Sequence, residues 1–153
     1  VAATLRIVAG AVSAHATLDG SRTARAVWDA LPIETVARTW GDEIYFPISV
    51  SLPEDDAQEV VGLGALGYWP PGQAFCIFFG PTPASHGDEC RPASPVNVFG
   101  FVDGDPRVFK VVPAGARIRL ERAEAGEPAA APAMLDRRVG PAIGAMRTDR
   151  GRP

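Results

Sequence analysis

The sequence predicts an all-β domain with one helix near its start, and three observations carry that reading. Short apolar runs recur along the chain, several with strict alternation. Turn residues punctuate them, with 16 glycines and 15 prolines among 153 residues. Only one stretch has helical spacing, and no internal repeat is visible. Many short strands with one helix point to a β-barrel or sandwich with helical decoration.

The elements follow in order. Leu5, Ile7 and Ala9 alternate with Arg6 and Val8 as a first strand, and "SAHATLDG" continues as a second. "GSRTARAVWDALP" reads as the helix. Ser21 is its N-cap, Ala24, Val27, Trp28 and Leu31 share one face, and Pro32 ends it. "IETVARTWGDEIYFPISV" is strand-forming by its β-branched and aromatic content. Gly41-Asp42 inside it fits a two-residue hairpin turn, with Gly at the first central position. Glu43 and Tyr45 then share one face of a strand, and Ile44 and Phe46 the other. "LPEDDAQE" is a polar loop. "VVGLGALGYW" and "QAFCIFFG" are strands flanking "PPG", which the residue types assign to a type II turn with Gly72 at the left-handed position. "PTPASHGDECRPASP" is a long loop, "VNVFGFV" another strand, and "DGDPRVFKVVPAG" a turn with a short helical element. "ARIRLERA" closes with Ile118 and Leu120 on one face, and Arg117, Arg119 and Glu121 on the other.

From Ala123 the pattern is lost, so residues 1–122 form the expected domain and 123–153 an Ala/Pro/Arg-rich, disordered tail. Length fits one domain, with 46% apolar residues to build a core. Net charge is −3, and the five arginines and one aspartate of 137–153 leave the rest at −7. That sign repels phosphate backbones and argues against nucleic-acid binding. No apolar run is long enough for a membrane helix, so no membrane partner is expected. Arg6 interrupts the Ala/Val-rich start, which reads as a strand rather than a signal peptide. Two isolated cysteines, Cys76 and Cys90, make no disulfide framework, and a cytoplasmic setting is the default.

Several motifs tempt and fail. "GLGALG" (62–67) matches G-x-G-x-x-G, but Pro70 and Pro71 exclude the helix that would hold a pyrophosphate. Its glycines fit a bulge or close strand packing. Ser85, His86, Asp88, Glu89 and Cys90 crowd one loop without the spacing of a catalytic triad or a metal ligand set. Glu54, Asp55 and Asp56 read as a solvated turn. No cofactor, metal or catalytic residue is therefore assigned. The aromatic residues are more informative. Alternation cannot place them all on one face, so some must point outward or into a surface groove. Plain core packing accounts for most of them. The alternative is that a subset lines an apolar pocket with a few polar groups, the usual form of a ligand site. The ligand-binding candidates are Trp40, Tyr45, Trp69 and Phe79, with Glu43, Thr82, Ser94 and Asn97 as polar anchors. A peptide or a small molecule would be the partner.

Three stretches carry a family resemblance: "TWGDEIYFP" (39–47), "GYWPPGQAFCIFFGPTP" (67–83) and "PASPVNVFG" (92–100). Together they resemble the small bacterial and archaeal cyclophilin-like proteins, more loosely over about residues 4–122. The resemblance implies a closed barrel of about eight strands with one or two flanking helices. Besides a subunit or accessory partner that acts through an interface, it implies two functions to weigh. One is a non-catalytic module binding a peptide or small metabolite in a groove. The other is a peptidyl-prolyl cis/trans isomerase, whose members hold proline in an apolar pocket beside an arginine. The "FHR" and "QGGD" strings of true cyclophilins are absent, so no catalytic arginine carries over.

Overall fold

The computed structural model describes residues 3–123. The expected tail, 123–153, lies outside them apart from Ala123.

Among the described residues, nine strands form one antiparallel sheet: β1 (Thr4–Ala9), β2 (Val12–Leu18), β3 (Ile33–Val36), β4 (Arg38–Thr39), β5 (Glu43–Pro47), β6 (Ala65–Trp69), β7 (Ala74–Phe78), β8 (Asn97–Val102) and β9 (Arg117–Arg122). Their order is β3-β9-β1-β2-β8-β6-β7-β5-β4. The two edges are halves of one run, broken only at Ala37, so the sheet closes on itself. Ala37 secures the junction by donating to the Ala116 carbonyl at 2.8 Å. Counted by runs of chain, the barrel has the eight staves that the resemblance implies.

Alternation sets its inside. Leu5, Ile7 and Ala9 of β1 and Ile118 and Leu120 of β9 are buried, while Arg117 and Arg119, which alternate with the latter, are exposed. The middle of the barrel is aromatic. Phe46 stacks on Phe75 with centroids 5.1 Å apart. Phe99 meets Phe75 edge-on at 5.3 Å. Phe99 gains its inward position from a register shift between Leu66 and Gly67, where β6 pairs with β8.

Helix α1 (Arg22–Asp29) covers one end. Ser21 caps it, its Oγ accepting from Ala24 N–H at 3.1 Å, and Ala24 and Val27 face the core. Ala30 follows as C-cap, and the peptide before Pro32 is cis. The crossing segment after β5 also runs over this end. Tyr68 Oη donates to the Val50 carbonyl at 2.6 Å and accepts from Leu52 N–H at 3.2 Å. A short 3-10 helix, Pro106–Val111, covers the other end and packs Phe109 on Phe79.

Turns follow their residue chemistry with one exception. Gly41 has φ +61 and opens the two-residue turn between β4 and β5, as expected. The "PPG" turn is not type II. Gln73, not Gly72, adopts the left-handed conformation, with φ 49. Gly72 serves packing instead: a Cβ there would sit 2.6 Å from the Trp69 ring. "GLGALG" leads into β6, not into a helix, and Gly67 lies at the register shift. No helix among the described residues is long and apolar enough to cross a membrane.

Candidate functional site

Strand β7 is buried along its whole length, so it has two apolar faces. Phe75 and Ile77 point into the barrel. Ala74, Cys76 and Phe78 point outward and join a second cluster with Val61, Ala65, Cys90 and Val96. Register builds this outer face. Glu43 lies opposite Phe78 and Tyr45 opposite Cys76 across β5–β7. Gly67 lies opposite Cys76 and Trp69 opposite Ala74 across β6–β7. Directly opposite residues share a face. The long loop after β7 returns over it, pinned by bridges from Gln58 to Val96 and from Val61 to Cys90. Gly67 permits the close approach: a Cβ there would meet Val96 Cγ2 at 2.8 Å.

This second layer does not close completely. It encloses a cavity of about 280 Å³ lined by Trp40, Glu43, Tyr45, Trp69, Cys76, Pro92, Ala93 and Val96. The hairpin turn brings Trp40 beside Glu43, with Trp40 N–H donating to the Glu43 carbonyl at 3.0 Å. Trp69 is held by its own donor, since Nε1 donates to Ser94 Oγ at 2.6 Å.

Glu43 is the chemical centre of this wall. It is 5% exposed. Burial pushes its carboxyl up to about 7, against a smaller opposing pull from the neighbouring Cys76 thiol. That thiol is itself pushed well above its ordinary range, by burial first and then by the Glu43 charge. Among the described residues, none that lines the cavity is basic. Arg38 stands opposite Tyr45 on the adjoining strand but is exposed and forms no part of the wall.

Of the eight ligand-binding candidates, the structure brings Trp40, Glu43, Tyr45 and Trp69 together. Ser94 stands behind them and orients Trp69. The other three lie elsewhere. Phe79 packs inside on Phe109. Thr82 staples the long loop: its hydroxyl donates to the Arg91 carbonyl, and its N–H donates to Ser85 Oγ at 2.9 Å. Asn97 is 1% exposed and clamps the crossing segment. Its Oδ1 accepts from Asp55 N–H at 2.9 Å, and its Nδ2 donates to the Pro53 carbonyl at 3.0 Å. Cys76, Pro92, Ala93 and Val96 complete the cavity and were not anticipated. Period-two alternation from Phe75 and Ile77 places Cys76 outward, but only the β5–β7 register sets it beside Tyr45. Pro92 and Ala93 carry no local signal.

The crowded loop contains no catalytic line. Ser85 Oγ accepts from Thr82 N–H and from Arg91 N–H, and His86 pairs with Glu89. No group of three metal-ligating side chains occurs among the described residues. Both cysteines are free and buried.

Comparison with known proteins gives a consistent picture. The family model described as Cyclophilin-like matches residues 3–121. A hypothetical protein from Archaeoglobus fulgidus, with a structure determined in solution, is 41% identical. The match covers 80% of this chain and 96% of that one, with a TM-score of 0.69. No curated protein matches the chain.

Proposed function

We propose that this chain, which belongs to the cyclophilin-like family, works as a binding module that takes a small metabolite or one peptide side chain into the outer-face cavity. One observation carries the reading. A carboxyl group stands buried among Trp40, Tyr45 and Trp69 with no cation to pair it among the described residues. Burying an acid in apolar surroundings is unfavourable unless it is neutralised, and folding alone gains nothing from it. Such groups concentrate at binding and catalytic sites. The cavity has the composition of a ligand site, apolar walls with one polar anchor, and its volume lies just below the roughly 300–1,000 Å³ of drug-sized sites.

The isomerase reading has less support. It needs a guanidinium beside the proline pocket, and among the described residues no arginine lines this cavity. Fold alone does not supply an activity.

The test is a protein-observed NMR screen of the full chain against amines, carboxylates, neutral fragments and proline peptides. Ligands should shift the Trp40 and Trp69 indole N–H signals. Trp28, on α1 under the Arg122 guanidinium, is the internal control and should not move. A screen in which no class of compound shifts the two cavity indoles overturns the proposal. Catalysed exchange of prolyl peptides, lost in Glu43→Gln, would replace it with the isomerase reading.

A further inference from the structure

The geometry points to a methylated ammonium group as the ligand, seated among Trp40, Tyr45 and Trp69 with the Glu43 carboxylate as its counter-charge. This inference rests on the cavity being a binding site.

The wall chemistry selects that class step by step. An anionic ligand would face Glu43 with no positive group among the described lining residues. A bare ammonium needs about three hydrogen-bond acceptors. The side chains in the lining supply one strong acceptor, Glu43, beside the apolar surfaces of Pro92, Ala93 and Val96. Methyl groups remove that need while keeping the charge. They also suit apolar walls and aromatic faces, which attract cations through the ring quadrupole. Trp69 is set up for this use, because Ser94 occupies its only donor and leaves the ring for contact. The volume of about 280 Å³ limits the occupant to a headgroup with a short chain. The charge of −7 on residues 1–136 favours the approach of cations.

Two sources share this chemistry: a free quaternary ammonium metabolite and a methylated lysine in a peptide. Binding should be measured by calorimetry and by the indole shifts on the full chain. The probes are choline, a short peptide containing trimethyllysine, and the uncharged isostere of choline in which a tert-butyl group replaces trimethylammonium. One cationic probe should bind at least about tenfold tighter than the isostere, and the tighter of the two identifies the source. Glu43→Gln should lose at least about tenfold on the cation and leave the isostere unchanged. Affinity for the cation should rise with pH through about 7 as Glu43 ionises.

If the isostere binds as well as the cations, the cation assignment falls and the binding-module reading stands. Affinity that improves on acidification also overturns the assignment, because a protonated Glu43 would then be donating to a carbonyl. Failure of all three probes to shift Trp40 and Trp69 overturns it too. In that case hits from the wider fragment screen decide whether the cavity binds anything.

Discussion

The part of the sheet formed by β5 to β8, with the turn before β5, carries an aromatic cluster on each face, and the two clusters are built differently. Inside, Phe46 stacks on Phe75, Phe99 meets Phe75 edge-on, and all three are fully buried. Outside, Trp40, Tyr45 and Trp69 surround a space and share it with a carboxyl. The inner residues come from alternating positions of closed strands, so each ring has partners on all sides. The outer cluster is closed by a loop, and a loop covers a sheet less completely than another strand layer does. The barrel interior therefore holds the fold, and the incomplete outer layer is free to hold something else.

Substitutions that separate the two faces test this contrast. The largest effect belongs to the inside. Phe75→Ala should destabilise by about 3–5 kcal/mol in denaturant unfolding, through lost transfer energy and the cavity left behind. Trp40→Ala on the outer face should stay within about 1 kcal/mol. Equal losses would mean that the outer cluster is structural.

Glu43→Gln comes next, and its effect has the opposite sign. The folded carboxyl sits at about 7 against an ordinary 4.5. Below about pH 4.5 it is protonated folded and unfolded, and it costs nothing. As pH rises through the window to about 7, the unfolded chain ionises first and folding loses about 3 kcal/mol. The variant lacks this term. It should gain on the wild type by that amount between the two ends of the window, as followed by thermal and urea unfolding. A difference that does not change with pH would place Glu43 in solvent.

Gly67→Ala tests the join between sheet and loop. Its Cβ would meet Val96 Cγ2 at 2.8 Å, so the loop must move at a cost of about 1–3 kcal/mol. Val96→Ala in the same chain should restore part of that loss, and a purely additive double variant would contradict the contact. The smallest expected effect is that of Ser94→Ala. It removes the acceptor of Trp69 Nε1 and should cost about 1 kcal/mol. Faster exchange of that indole proton, with Trp28 unchanged, would report the loosened ring.

Local patterns made the strands legible and left their partners unstated. The alternation of "ARIRLERA" placed Ile118 and Leu120 correctly, and "TWGDEIYFP" separated Glu43 and Tyr45 from Ile44 and Phe46. Closure through Ala37 depends on pairing residues far apart in the chain, which periodicity does not encode. The "PPG" turn misled because glycine is the usual left-handed residue. Here the Trp69 ring claims the space above Gly72, and Gln73 takes the left-handed conformation. Asn97 and Thr82 drew attention as polar residues near aromatic strands. Their hydrogen bonds go to backbone segments that the sequence does not connect to them. Three of the eight wall residues were legible for a simpler reason: Trp40, Glu43 and Tyr45 lie around one tight turn.

The most direct test is a carbon-detected NMR titration of the Glu43 side-chain carboxyl, in the free chain and with saturating choline. A buried acid awaiting a cation should titrate near 7 when free and move toward 4.5 when the cavity is filled. A midpoint near 4.5 in the free chain, or one that choline leaves in place while shifting Trp40 and Trp69, would contradict the account.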